Sequence, residues 1–310
     1  MKRATTSFAL WLAIWTVLPF GACARNVTPL SLVPSGSVAV LKVKWSEVSR
    51  DTRLRQIIRG DALERMMAGS GIDSRDVTDL VIFWDIVRAR SAMVIAGSAR
   101  LRASANTLGS EGWQEKSYRG YKFFADASEA NCLANLQSGF VVLSARPGVE
   151  AVIDTEQAPA QAIINDAHFR KLLAQYATTQ PPISLMMTLP PAAQVAGDTA
   201  VKAASFLLDF TSFAPLGKLL DKVGLARGIG LSITHSGNSC PVNFVASMKD
   251  DDASLVSGTF SVLKGAASWL SSRPEPESDR QMRRAFQNMT ITRTRDLVSI
   301  ALVLPESTIP

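Results

Sequence analysis

Histidine is nearly absent from this chain, which holds only His168 and His235 among its 310 residues. Zinc centres and base-driven hydrolases draw on histidine supported by nearby Cys, Asp or Glu, and neither an H-E-x-x-H nor a C-x-x-C pattern occurs. Cysteine is as scarce: Cys23, Cys132 and Cys240 are too few for a disulfide-stapled scaffold. Charged residues make up 19% and hydrophobic residues 47%, a balance that excludes a disordered chain, and no block of like charge is long enough to form a tail. The net charge of +6 is spread thinly, with 16 basic and 14 acidic side chains in residues 31–155 and 14 and 13 in residues 156–310. The densest basic cluster, Arg280, Arg283 and Arg284, reads as the solvated side of a short helix. No basic face with interleaved aromatics stands out, so nucleic acid is not expected as a partner.

What is present first is an export signal. Lys2 and Arg3 precede an eleven-residue apolar run at 8–18, broken by Pro19 and Gly21 and followed by Ala22-Cys23-Ala24. Charge, short apolar stretch and small residues are the parts of a secretory signal peptide, and eleven residues are too few to span a bilayer core. Two cleavage readings stand. Phe20-Gly21-Ala22-Cys23 resembles the bacterial lipobox, with Phe20 in the usual Leu position, and would make Cys23 the lipidated first residue. By resemblance to Gram-negative lipoproteins, Ala24 after it would permit passage to the outer membrane. Alternatively, Ala22-Cys23-Ala24 is an A-x-A site cut before Arg25 to release a soluble periplasmic or secreted protein. Loss of Lys2 and Arg3 at either site lowers the charge from +6 to +4. The expected location is the periplasm, with attachment to the membrane through lipid on Cys23. No later apolar run is long enough to span the membrane.

The mature chain alternates strand and helix signals. Ala39, Leu41, Val43 and Trp45 alternate with Val40, Lys42 and Lys44 in a strand over 37–45. Helical stripes follow through Leu54, Ile57, Leu63 and Met67, and then strands at 77–84 and 92–96 with apolar residues on both faces. Hairpins are expected at 113–117/121–125 and 132–136/140–144, with a helix from Pro147 to Asp154. Residues 156–165 read as a connector. Asp166 caps a helix carrying Phe169, Leu172 and Tyr176, and a strand follows at 183–189. Helices are expected over 191–223, strands at 227–235 and 242–249, a helix after Asp250-Asp251-Asp252, and a closing hairpin at 290–294/297–304.

Both halves run strand, helices, strand, strand, helix, closing hairpin. This predicts an α+β fold: a tandem duplication of a split β-α-β, ferredoxin-like unit, with antiparallel or mixed sheets and helices on one face. One sheet shared by both halves is the alternative. The expected layout is a signal peptide (1–24), a tether (25–34), a first α+β domain (35–155), the connector (156–165), a second α+β domain (166–305) and a tail (306–310).

Each candidate for chemistry has a plain alternative. His168 sits in the first turns of the Asp166 helix, in keeping with a packed or surface role. His235 beside Ser236 could be part of a triad, yet no nucleophile elbow or third member is evident. Asp250-Asp251-Asp252 lacks the alternating spacing of a calcium loop and suits the positive end of a helix. Gly224, Gly228 and Gly230 lead into a strand, the reverse of a phosphate-binding turn. Cys132 and Cys240 are either a disulfide, permitted by export, or two separate buried thiols. No catalytic residue, metal ligand or cofactor is therefore assigned.

The segments Val33-Pro34-Ser35-Gly36-Ser37-Val38-Ala39-Val40, Val43-Lys44-Trp45, Asp79-Leu80-Val81-Ile82-Phe83 and Pro147-Gly148-Val149-Glu150-Ala151 together resemble a family of bacterial secreted proteins and lipoproteins. That family has two related α+β halves and uncharacterised activity. The resemblance implies export and a duplicated fold, and it transfers no catalytic residue. The leading expectation is a non-catalytic cell-envelope interaction or scaffold protein, lipid-anchored and contacting an envelope partner. A carrier of an apolar or amphiphilic small molecule, bound in a cleft between the halves and lined by helices at 191–223 and 253–270, is the alternative, and an envelope hydrolase the third.

Overall fold

The computed structural model describes residues 27–107, 112–177, 179–188, 226–269 and 277–305. Among the described residues twelve strands form one antiparallel sheet in the order β11-β12-β10-β9-β8-β1-β2-β3-β7-β6-β5-β4. Its centre is β1 (Ala39–Val43), whose residues 39–43 pair with Trp84–Leu80 of β2 (Val77–Asp85) on one side. On the other side they pair with Met187–Ile183 of β8 (Ile183–Thr188). The chain then extends outward from this pair in both directions. One arm is β2, β3 (Arg90–Gly97), β7 (Val141–Ser144), β6 (Cys132–Asn135), β5 (Tyr121–Ala125) and β4 (Gln114–Tyr118). The other is β9 (Gly228–Ile233), β10 (Ser239–Ser247), β12 (Leu297–Pro305) and β11 (Thr290–Thr294).

The α+β class is as expected, but the sheet corrects the sequence reading on two points. Strands joined through helices, such as β1 and β2, are direct antiparallel neighbours, so the split pairing of a ferredoxin-like unit is not what these residues form. Helices also cover both faces, not one. The reason is visible in the strands: side chains alternate across a sheet, and here both alternating sets are apolar. Leu41, Val43, Leu80, Ile82 and Ile95 face one core, while Val40, Val81, Phe83 and Val94 face the other. Leaving either set in water would sacrifice roughly 25 cal/mol per Å² of apolar surface.

The first face carries α1 (Trp45–Val48), α2 (Thr52–Ile57) and α3 (Gly60–Gly69) over one arm. Trp45 is fully buried and its Nε1–H donates to the Ser74 carbonyl at 3.0 Å. After β3 comes α4 (Ala99–Thr107). Across the other arm lie α7 (Asp250–Trp269), through Ala253, Val256 and Phe260, and α8 (Glu277–Gln287), through Ala285.

The second face carries α5 (Arg146–Gln157) and α6 (Ala167–Tyr176), whose stripes Val149, Val152, Ile153 and Phe169, Leu172, Tyr176 are buried. The expected tether is part of this layer. Residues Pro29–Leu32 form a 3-10 turn, Leu30, Leu32 and Val33 are buried, and Ser35 N–H donates to the Gln161 carbonyl at 2.7 Å while Ile163 N–H donates to Val33 at 2.8 Å. Residues 156–165 are likewise built in, through 3-10 turns at Pro159–Gln161 and Ile163–Asn165 and a bridge from Ala162 to Pro34.

Candidate functional site

The second face contains a cleft of ≈ 160 Å³ where the first described residues meet the C-terminal end of α5. Leu32, Pro159 and Ile164 give it an aliphatic wall, and Ser138, in the turn between β6 and β7, and Glu156 close its far side. Burial of the hairpin and helix on each side holds these groups in place. Ser138 N–H donates to Glu156 Oε1 at 2.7 Å, which fixes the carboxylate against the turn. Glu156 Oε2 and Ser138 Oγ are both buried and have no hydrogen-bond partner. Tyr121 is buried and its phenol is pushed up to about 12, by burial first and then by its hydrogen bond to the Glu156 carboxylate and that group's charge. A second, more open groove of ≈ 390 Å³ lies beyond Tyr121, between Phe124, Lys122 and Gln137.

The residues singled out from the sequence are dispersed. His235, after β9, faces Asp51, with Nδ1 and Oδ2 at 2.6 Å. Asp51 is the N-cap of α2, and its Oδ1 accepts from Arg53 N–H at 2.9 Å and Leu54 N–H at 3.0 Å. Burial works to raise the Asp51 pKa, but the Leu54 N–H, the His235 hydrogen bond and charge, and the Arg53 N–H together hold it below its ordinary value. This is the acid–base half of a triad, yet His235 Nε2 is buried without a hydrogen-bond partner. Ser236 exchanges backbone hydrogen bonds with Ser239 at 3.0 and 3.2 Å, and its hydroxyl is not hydrogen-bonded to His235 Nε2. Neither of the two clefts above touches His235. Asp51 went unrecognised as a partner because it precedes His235 by 184 positions.

His168 lies on α6, half-buried. Nearby, Lys171 of the same helix holds Asp296, in the turn between β11 and β12. Asp250-Asp251-Asp252 occupy the first turn of α7, where Asp250 accepts from the Arg293 guanidinium at 2.8 Å and ties the helix to β11. Among the described residues no cluster of three or more His, Cys, Asp or Glu is placed to hold a metal.

Gly228 and Gly230 lie within β9, and their role is steric. A Cβ on Gly230 would sit 2.5 Å from the Tyr176 hydroxyl, and one on Gly228 3.2 Å from Leu172 Cδ1. Their missing side chains let α6 pack onto the sheet. Gly224 and the expected helices at 191–223 lie outside the described residues, as do Cys23 and the segment before it.

Cys132 and Cys240 are not joined. They sit on β6 and β10, seven strand steps apart, and in opposite cores. At about 4.8 Å per step the separation exceeds any disulfide span. Burial first, and then Glu129 and Asp126, push the Cys132 thiol up to about 11, which makes it a poor nucleophile. The two halves are joined where β1 and β8 are hydrogen-bonded neighbours, and the helices at 191–223 expected to line a carrier's cleft lie outside the described residues. The sequence reading missed Glu156 and Ser138. The available signal was an acidic last turn on α5 with no basic residue to complement it.

No family model matches this chain, and no curated protein does. Among solved structures, it is similar to crystal form IV of TP0453, with a TM-score of 0.50, 12% identity, and 92% of this chain and 96% of that chain covered. Crystal form III of the same protein gives a TM-score of 0.48 at 13% identity, with 91% and 96% covered. The likeness is one of fold.

Proposed function

We propose that this chain is a lipoprotein of the cell envelope, attached through lipid on Cys23, whose broad sheet acts as a non-catalytic interaction module. The observation that carries the reading is where the chain enters the fold. Val27 lines the cleft at the end of the sheet that also holds the 136–140 turn. The turn at 119–120 belongs to the same end, its Arg119 carbonyl accepting from Gln157 Nε2 at 3.1 Å. Cys23 precedes Val27 by four residues, a reach of at most about 14 Å. A lipid there would hold this end against the bilayer and leave the opposite end, with the 86–89 turn, pointing away. Val87 at that far tip is 77% exposed and offers an apolar contact to a partner. Among the described residues no helix is long and apolar enough to cross a membrane, so attachment in this reading is by lipid alone.

The duplication proposed for the two halves is supported by strand order. Each half is a three-strand meander followed by helical structure and a returning antiparallel set, β1-β2-β3 with β7-β6-β5-β4 and β8-β9-β10 with β12-β11. The halves meet edge to edge at β1 and β8.

The test is intact mass of the protein from the membrane fraction, combined with cross-linking in whole envelopes. The expected result is a diacyl- or triacyl-modified Cys23 as first residue and a reproducible partner cross-linked near Val87. A mature N-terminus at Arg25 overturns the anchoring, and the absence of any reproducible partner overturns the interaction role.

A further inference from the structure

We infer that the cleft at the C-terminal end of α5 is a binding site for a small primary ammonium group on a short carbon stem, with the Glu156 carboxylate as counter-charge. The local field favours a cation. The last turn of α5 has no basic residue, so Asp154 and Glu156 add their charge to the negative end of the helix dipole. Asp154 is answered by Arg119 at 3.1 Å and the Tyr118 hydroxyl at 3.1 Å. Glu156 accepts the Ser138 N–H on Oε1 and hydrogen-bonds the Tyr121 phenol, two neutral donors with no cation among them, and its Oε2 is left buried and partnerless.

The other polar groups of the cleft are committed. Ser31 Oγ donates to the Thr28 carbonyl at 2.6 Å, Thr155 Oγ1 to Ala151 at 2.8 Å and Asn165 Nδ2 to Pro159 at 2.9 Å. Glu156 Oε2 and Ser138 Oγ therefore remain as unpartnered acceptors, on residues that line the cleft together with the aliphatic Leu32 and Ile164. Two acceptors call for a ligand with several N–H donors, which a primary ammonium has and a quaternary one lacks. No aromatic ring lines the cleft to cage a quaternary group. An anion would meet Glu156, and a hard metal ion needs more oxygen ligands than are free here. The volume, ≈ 160 Å³, is close to that of the roughly 150 Å³ cavity that holds benzene, so the guest has about six heavy atoms or fewer.

Such a group could come from a free alkylamine or from the ethanolamine headgroup of a phospholipid. The second source rests on the anchoring proposed above; the first does not. The experiment uses full-length protein in detergent micelles, with isotope-labelled Ile and Leu methyl groups, titrated with n-propylammonium and followed by NMR. A saturable shift at the Ile164 and Leu32 methyls is expected, absent with n-propanol and with tetramethylammonium. E156Q keeps the acceptor for Ser138 N–H and should weaken binding at least tenfold without altering the remaining methyl spectrum. S138A should weaken it several-fold and serves as the second variant if E156Q fails to fold. Lack of saturation, equal binding of propanol, unchanged affinity in the folded variant, or a response to calcium instead would overturn the site. Bicelles with ethanolamine headgroups, compared with choline bicelles, then decide the source: a selective response assigns the lipid, and a response to free amine alone assigns the soluble ligand. Should intact mass place the N-terminus at Arg25, the free-amine titration still stands or fails by itself.

Discussion

Asp85 is fully buried at the tip of the β2–β3 hairpin, and it is the residue whose loss should be felt most. It accepts from the Arg88 N–H at 3.1 Å, the Arg88 guanidinium at 3.2 Å and the Arg90 guanidinium at 2.8 Å. Asp85→Ala would leave Arg90 half-sequestered without its anion, and urea denaturation should show a loss of roughly 3 kcal/mol. Tyr176 presents the reverse case. Its hydroxyl is buried with no hydrogen-bond partner, and burial pushes its pKa far up. Tyr176→Phe removes a polar atom that gains nothing, so stability should stay level or rise by up to about 1 kcal/mol. Gly230→Ala, by forcing a methyl against that ring, should cost roughly 2–3 kcal/mol. Part of this should return in the Tyr176→Phe background, measured as a double-mutant cycle. Neither residue could be ranked from sequence, since Tyr176 reads as one more member of an apolar stripe and Gly230 as a loose glycine.

At the scale of elements, α2 depends on a cap that also holds a histidine from the other half. Asp51→Ala removes two N–H acceptors and the His235 partner, and should lower stability by roughly 1–2 kcal/mol. Asp51→Asn retains an acceptor for the helix but loses the charge. Because the native Asp51 pKa is below its reference value of 3.8, the stability it adds is fully present above that value. It fades as pH falls through the lower native pKa. The difference in melting temperature between wild type and Asp51→Asn should therefore shrink as pH falls below about 4. The elements themselves were largely legible. Period-two alternation marked β1, the 113–125 and 132–144 hairpins were marked by turn residues, and Asp166 marked the start of α6, where its carboxylate accepts from Phe169 N–H at 2.8 Å. These signals are local, set by residues within a few positions of each other.

For the whole molecule, several carboxylates share the behaviour of Asp51. Asp73 is held down to about 2 by the Arg75 guanidinium, and Glu129, Asp126 and Asp296 are lowered by Lys116 and Arg146, by Asn131 and Ser128, and by Lys171. All four favour the folded state above their unfolded values and lose that preference as acid protonates them, so the melting temperature should fall steadily from pH 5 towards pH 2. Thiol titration tests the strand order itself. Native protein should react at neither Cys132 nor Cys240, and both should react after unfolding without reductant; one disulfide instead would contradict the placement of β6 and β10.

Within the chain, the order of strands and helices, the α+β class and the scarcity of histidine followed from residue type and local periodicity alone. Apolar residues on both faces of 77–84 even carried the information that helices cover both faces, although the expectation drawn was for one. The shared sheet was decided elsewhere. That Ile183–Thr188 pairs with β1, that Asp51 meets His235 and that Glu156 is left without a cation all depend on contacts between residues far apart in sequence. Such contacts form through packing of the folded chain as a whole, and no local pattern of residues encodes them.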